Sequence, residues 1–290
     1  MRVYSPSSTK TYAECPFKRE LSRRGVQSKY AGKAAVARWI GTAVAKGFEQ
    51  VNLERMGASP ERVVSLAEGH AQASYQYSVS EFTNAGGVIA EGDADGVPQL
   101  IERAVRYYRD EYVYPFKHTV VAVEAPFEHG GNARPDLLID EGSLAPLDFK
   151  CKRSLYVKPG ETRDAARARV FAEYEDDWQL LHYVWCVRRF RGVPCNHYYI
   201  ALCELTPKPH ITIQRYDVTD TRMLQWADSA YGWWAAMEDT DNDMVNVPPQ
   251  APTHETKYGK CEYYDYCVTY EMDETRAQHR YITVERRRHE

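Results

Sequence analysis

The pattern of apolar and polar positions changes character near residue 118. Before that point, apolar residues recur at helical spacing. "SSTKTYAECPFKRELSRRG" opens on serine and threonine, good helix caps, and predicts a helix ending at Gly25. "GKAAVARWIGTAVAKGFEQVNLERMG" predicts a second that stops at Gly57, and residues 60–77 and 96–113 predict two more. After it, "HTVVAVEAPFEH" alternates and is rich in β-branched residues, so it predicts a strand. "DLLID" and "APLDFK" predict two further strands joined by a turn at Glu141-Gly142-Ser143, and "NHYYIALCEL" and "HITIQRYDV" two others. "EYEDDWQLLHYVWCVRRF" predicts a helix whose acidic start and basic end suit the macrodipole. The stretch 157–172 is polar and basic and reads as a loop or mobile helix. "TDTRMLQWADSAYGWWAAMED" predicts a capped helix. The sum is a mixed α/β arrangement, a central sheet with helices against it. Its expected organisation is a helical N-terminal region over 1–115, a core over 116–246, and a cysteine-containing tail over 247–290 that folds back on the N-terminal region.

Composition narrows the picture. The 290 residues suffice for one large domain or two small ones, and 43% hydrophobic with 27% charged residues is a globular balance. The net charge of −4 gives no global basic field, so contact with a polyanion must come from local patches. No run is apolar for long enough to span a bilayer, and the N-terminus lacks a signal-like apolar stretch; a cytoplasmic protein without a membrane partner is expected. Seven cysteines, an odd count, argue against a disulfide framework and leave metal binding open.

The two short strands around Gly142 carry unexpected charge. In an antiparallel hairpin centred on Gly142, positions equidistant from it face each other, and Asp136 and Asp148 are such a pair. Their Cβ atoms would stand roughly 5 Å apart. Lys150 shares a face with Asp148, while Phe149 points the other way, into the core. Buried charge is costly unless paired or bound to metal. Two readings follow: a structural Asp–Lys pair, or two carboxylates holding a hard cation such as Mg²⁺ or Mn²⁺ with a lysine beside it to act on water or phosphate. On the helix of residues 173–190, Gln179 and Tyr183 fall on one face, and Trp178, Leu181 and Trp185 form an apolar stripe that would dock on the sheet.

These pieces, in this order, resemble the PD-(D/E)XK nuclease superfamily, and within it the RecB-like branch, which includes the CRISPR spacer-acquisition nucleases and the AddB-type recombination subunit. Pro135-Asp136 matches the PD element, Asp148-Phe149-Lys150 matches (D/E)-x-K, and Gln179-Leu180-Leu181-His182-Tyr183 matches Q-x-x-x-Y. Ser8, Tyr12, Cys15 and Pro16 loosely fit the opening motif of that branch. The resemblance spans about residues 5 to 268. It implies a restriction-endonuclease-like core, a central mixed sheet flanked by helices, with a helical N-terminal region. It implies that Asp136 and Asp148 bind a catalytic Mg or Mn with help from the Phe149 carbonyl, and that Lys150 acts on the attacking water. Gln179 and Tyr183 would orient the lysine or the DNA backbone, and Glu124 is a weaker candidate ligand.

Two departures accompany the resemblance. The branch carries a metal-binding histidine in a Gly-x-x-x-His context; here Gly41 is followed by Ala45, and Glu49, one turn on, is the candidate replacement. Some members hold a [4Fe–4S] cluster with four cysteines, and here Cys15, Cys261 and Cys267 match three positions while Tyr258 stands at the fourth. His254 is the candidate fourth ligand, and small hydrophobes in the core are the other reading of the thiols. Cys151, Cys186, Cys195 and Cys203 read as buried.

A nuclease must neutralise phosphates locally. "KCKR" with Lys152 and Arg153, and the 158–169 stretch with Arg167 and Arg169, flank the acids and are candidate DNA contacts; "VRRFR" and "KRELSRR" are further basic runs. Tyr12, Phe17 and Tyr156 are candidates for stacking on unpaired bases. No Walker-type phosphate loop occurs, so any motor would come from a partner helicase or a recombination or CRISPR-type complex. The expected function is a metal-dependent DNase, an exonuclease on DNA ends or single strands. The alternative is a catalytically weak DNA-binding subunit of a DNA-processing complex.

Overall fold

The structure, a computed structural model, describes residues 3–31, 33–57, 66–112, 119–124, 126–127, 133–242, 255–256, 259–264, 266–267 and 274–284. The chain forms two compact units, one of Met1–Val36, Ser78–Ala94 and Ser229–Glu290, the other of Ala37–Tyr77 and Asp95–Asp228.

The first unit begins with α1 (Pro6–Glu14) and α2 (Pro16–Arg23). The single helix expected there is broken at Cys15, which is extended at φ −167° and ψ 116°. The cause is Pro16: its ring excludes the helical conformation from the residue before it, while its own φ suits the first turn of a new helix. Strands β1 (Val26–Ser28) and β2 (Tyr30–Ala31) follow. Next in chain order come α3 (Lys33–Arg55), which belongs to the second unit from Ala37 on, α4 (Leu66–Asn84), which is in the second unit to Tyr77, β3 (Val88–Ile89) of the first unit, and α5 (Val97–Asp110) of the second. Residues 60–65 of the expected helix lie outside the described residues.

The second unit is organised by a five-stranded sheet in the order β4-β5-β6-β7-β8. Its strands are β4 (Thr119–Val123), β5 (Leu137–Asp140), β6 (Leu144–Lys152), β7 (His197–Glu204) and β8 (His210–Asp217). All neighbours are antiparallel except β6 and β7, which run parallel. A parallel neighbour requires a crossover, and that crossover supplies α6 (Arg163–Ala172) and α7 (Trp178–Cys186). The sheet is thus mixed and flanked by helices. β7 is buried along its whole length, as a strand covered on both faces must be.

The remaining elements are α8 (Asp220–Asn242), β9 (Glu255–Thr256), β10 (Gly259–Lys260), α9 (Glu274–Ala277) and β11 (Tyr281–Thr283). In the first unit β11 pairs antiparallel with β1, and Leu21, Val26, Tyr263, Tyr266, Ala277 and Tyr281 form a small core. No helix among the described residues is long and apolar enough to cross a membrane.

One sequence expectation in the crossover is resolved and another needs correction. Of the polar 157–172 stretch, expected as a loop or mobile helix, residues 163–172 form the helix: Thr162 accepts from the Ala165 amide at 3.2 Å, and two of the helix's arginines bind a buried acid. The next helix starts at Trp178 rather than near 173. Asp177 is its N-cap, accepting from the Gln179 amide at 2.9 Å, and the Tyr198 hydroxyl donates to the Tyr174 and Glu175 carbonyls, holding them out of a helix. Of the expected stripe, Trp178 and Trp185 meet Trp226 of α8, at 5.3 and 6.1 Å between ring centroids, while Leu181 is buried together with Leu180, His182, Tyr183, Val184 and Cys186.

The core beneath β6 fixes what its other face can do. Phe149 is buried and meets Phe48 of α3 edge-on at 5.0 Å and Tyr108 of α5 at 5.5 Å; Phe48 stacks on Tyr108 at 4.1 Å. Burying a phenylalanine contributes about 1.5–3 kcal/mol. Gly47 allows this approach: a Cβ there would stand 2.4 Å from a Val105 methyl and 3.2 Å from the Ala71 methyl.

Candidate active site

With Phe149 locked inward, Asp148 and Lys150 must emerge on the opposite face. The β5–β6 register pairs Leu137 with Leu147, so Asp136, one residue before β5, comes opposite Asp148. The hinge of the hairpin is Gly142, at φ +100°, a conformation glycine adopts without cost. Asp136 Oδ2 accepts from the Phe149 amide at 2.6 Å, which holds its carboxylate against β6.

A third acid joins the row from the other side. The β4–β5 pairing ends at Val123 opposite Leu137, and the next amide, that of Glu124, donates to the Asp136 carbonyl at 3.1 Å. Glu124, Asp136 and Asp148 therefore lie across three adjacent strands. Glu124 has φ +40°, the sole left-handed non-glycine backbone among the described residues. Residues held there often mark functional positions.

The charges are unevenly satisfied. Asp148 is 4% exposed, and Lys150 Nζ lies 2.7 Å from its Oδ2. That ammonium approaches as an ion pair without hydrogen-bond alignment, and Asp148 Oδ2 has no hydrogen-bond donor. Burial pushes Asp136 well above the usual carboxylate range, the facing Asp148 carboxylate adds to this, and the Phe149 amide and Lys150 only partly oppose it. Burial favours neutral Lys150, but the Asp148 carboxylate outweighs it and holds the ammonium above its usual value. Two facing carboxylates, one of them resisting ionisation, with a single ammonium beside them, are a donor set that suits a hard divalent cation. Such ions take one or two carboxylates and complete their shell with water and phosphate oxygens.

The crossover surrounds Lys150. Its Nζ lies 5.7 Å from the Tyr174 ring centroid, a cation–π contact. Burial pushes the Tyr174 hydroxyl up to about 12. Gln179 Nε2 donates to the Tyr183 hydroxyl at 2.5 Å, so Gln179 binds its helical neighbour rather than Lys150. Tyr183 is 3% exposed, and burial followed by the Asp148 charge raises its hydroxyl. Tyr174 and Asp177 were not singled out from the sequence. The cue was weak: Tyr174 sits in an acidic run without periodicity, and only the turn over 174–177 aims it at the lysine.

The weaker candidates are both engaged. Lys46 Nζ lies 2.6 Å from Glu49 Oε2 and 2.7 Å from Glu124 Oε2. Burial opposes that ammonium, but the two carboxylates outweigh it and Lys46 is held above its usual value. Glu49 is therefore one arm of a bridge between α3 and the acid row, and Ala45 contributes no polar group.

Two of the basic candidates, Arg167 and Arg169, are also committed. Arg167 binds Glu204 Oε1 at 2.5 Å and Asp164 at 2.7 Å. Arg169 binds Glu161 at 3.1 Å and the Tyr156 carbonyl at 2.6 Å. Lys152 ends β6, paired with Glu204 in the β6–β7 register, and Arg153 follows it on the surface. Of the stacking candidates, Tyr156 is 70% exposed. Tyr12 is not available: it is buried, and its hydroxyl bonds to the Ala236 carbonyl and the Thr240 hydroxyl. Phe17 packs against the small core of the first unit, 6.2 Å from Tyr266.

The iron–sulfur expectation finds no support. Among the described residues no three His, Cys, Asp or Glu side chains gather to hold a metal ion. Cys261 and Cys267 pack against the Tyr263–Tyr281 core, and burial, with smaller contributions from Cys261 and Cys15, pushes the Cys267 thiol up to about 11. Tyr258 and His254 lie outside the described residues. Cys186, Cys195 and Cys203 are buried as expected, while Cys151 is half-buried.

No curated protein matches the chain significantly. A crystal structure from Eubacterium rectale, described provisionally as an exonuclease, is similar at 18% identity and a TM-score of 0.48, over 92% of this chain and 88% of that one. The family model of the PD-(D/E)XK nuclease superfamily matches residues 3–268. With that match spanning nearly all of the sequence, and with the acids and lysine of its motif meeting on one face of a mixed sheet, the chain belongs to the PD-(D/E)XK nuclease superfamily.

Proposed function

We propose that this protein is a metal-dependent deoxyribonuclease of the RecB-like kind, hydrolysing phosphodiesters at DNA ends or in single strands. The observation that carries the reading is the meeting of Asp136, Asp148 and Lys150 on one face of the β5–β6 hairpin, two facing carboxylates, that of Asp148 buried, with one ammonium 2.7 Å from Asp148. Two facing acids removed from water are costly unless a cation lies between them. Asp136 and Asp148 would hold Mg²⁺ or Mn²⁺, which lowers the pKa of bound water and offsets charge on the phosphate.

The chain's own residues do the rest. Lys150 is kept charged by Asp148 and steadied by the Tyr174 ring, so it can orient the attacking water and meet the developing negative charge. Tyr183, fixed by Gln179 and buried, lies near both carboxylates, whose charges act on its hydroxyl, and would keep bulk water from that side of them. Lys152 and Arg153, following the lysine along the chain, are the basic residues best situated to meet a DNA backbone. Exposed Tyr156 suits stacking on an unpaired base. The RecB-like assignment rests on the Q-x-x-x-Y motif and the opening Ser8–Pro16 stretch.

The test uses single- and double-stranded DNA labelled at the 5′ or 3′ end, with Mn²⁺, Mg²⁺ or EDTA, and Lys150→Ala as control. Cleavage that needs metal and disappears in Lys150→Ala is expected, and the products give polarity. Folded protein that cuts nothing with either metal would favour a DNA-binding subunit, a reading that draws on the engagement of Glu49 and Glu124 by Lys46.

A further inference from the structure

Three of the acids near this site already have cationic partners, and the partners differ. Asp148 has Lys150, two residues along the same strand. Glu49 and Glu124 share Lys46, and they come from separate elements: Glu49 from α3, three residues after Lys46, and Glu124 from the end of β4. Two carboxylates brought together from different elements repel unless a cation stands between them. Here the chain supplies that cation, at 2.6 and 2.7 Å from one oxygen of each acid. The contact is also well anchored. The Glu124 amide is bonded to the Asp136 carbonyl, so this acid cannot leave the row, and its φ of +40° is held against its usual preference. On the other side, Gly47 and Phe48 seat α3 against α5 and β6, which fixes the base of the Lys46 side chain.

We propose that the Lys46 ammonium is a built-in second cation, holding Glu49 and Glu124 so that the acid row takes up one divalent ion, between Asp136 and Asp148, rather than two.

The contrast between the two ends of the row supports this. At the Asp136–Asp148 end one ammonium, that of Lys150, stands 2.7 Å from Asp148 while Asp136 makes no ion pair among the described residues, so an external cation has a carboxylate to gain there. At Glu124 the corresponding oxygen is already in contact with an ammonium, and a second divalent ion would have to displace it. Lys46 is thus a positioning residue. It acts on the site through Glu124 and sets how many metal ions the site accepts. The inference rests on the proposed metal-binding role of Asp136 and Asp148 and adds a count to it.

The test is a Mn²⁺ titration of the full chain, with free Mn²⁺ read by electron paramagnetic resonance and no DNA present. Wild type is expected to bind one ion per chain, lost in Asp148→Asn. Lys46→Met is expected to bind two, and Lys46→Met with Glu124→Gln to return to one. Lys46→Arg, which keeps the charge, is expected to stay at one. Two ions on the wild type, or one on folded Lys46→Met, overturns the inference while leaving the Asp148 site intact. Should Lys46→Met not fold, the wild-type and Lys46→Arg counts decide: one supports the inference, two overturns it. A wild-type count of zero, or one unchanged in Asp148→Asn, instead defeats the metal-binding reading beneath it.

Discussion

Two buried carboxylates sit on the neighbouring parallel strands β6 and β7, and the fold treats them in opposite ways. Glu204, fully buried at the end of β7, receives three hydrogen bonds from Arg163 and Arg167 of α6, at 2.5 to 2.9 Å. Burial alone would raise its carboxyl, but the two arginines outweigh it and hold Glu204 below the usual range. Asp148, on β6, has one poorly aligned ammonium, a facing acid and an oxygen with no donor. Glu204 is a finished interaction and fastens α6 to the sheet. Asp148 has a single ammonium, that of Lys150, set against two facing carboxylates, its own and that of Asp136. An acid pair with less positive charge than negative is the better marker of chemistry, since structural acids are normally matched within the fold.

The comparison can be broken most directly through activity. Asp148→Asn should lower metal-dependent cleavage about a thousandfold, the scale of several kcal/mol of transition-state stabilisation. Its thermal midpoint reads two opposed effects, relief of the like charge facing Asp136 and loss of the partner of the Lys150 ammonium. Initial rates and melting curves on one preparation check that the variant is folded, and unchanged cleavage by the folded variant would make Asp148 a structural acid like Glu204.

Phe149→Ala tests the other face of the same strand. It should cost about 3–5 kcal/mol, read from the shift in urea midpoint, since it opens a cavity against Phe48 and Tyr108. A smaller effect, Glu204→Gln, should cost about 2–3 kcal/mol, below the value for a fully buried pair because Arg163 is half exposed. The activity of the remaining folded molecules should persist. If Glu204→Gln leaves stability unchanged and removes cleavage, the roles of the two acids are reversed.

The smallest expected effect comes from His182, which is fully buried on α7, and burial pushes its imidazole down to about 3. The unfolded chain takes up that proton near pH 6.5 and the folded chain only near 3, so stability falls as pH drops below 6.5. The slope from this group is at most about 1.4 kcal/mol per pH unit. Denaturation midpoints at pH 7, 6 and 5 check it, with His182→Leu expected to flatten the dependence.

Much of the site was legible because β structure repeats every two residues. A glycine-centred turn places Asp136 opposite Asp148, and alternation sends Phe149 inward and Lys150 outward, all from local sequence. The contacts that depend on docking were not legible. Lys46 and Glu124 are far apart in the chain, and nothing in either segment announces that α3 will lie beside the end of β4. Arg167 reads as a basic surface residue until Glu204 arrives from β7 to bind it. The Cys15-Pro16 pair did carry its own signal, and the helix break there follows from proline geometry alone.

The most direct test of the central claim is cleavage of end-labelled linear DNA by freshly purified wild type and Asp148→Asn, with Mn²⁺ and with EDTA. The account predicts degradation by wild type with Mn²⁺ only, and none by the folded variant. Equal degradation by the variant, or none by folded wild type with Mn²⁺ or Mg²⁺, would contradict the claim that Asp148, facing Asp136, is there to hold a catalytic metal.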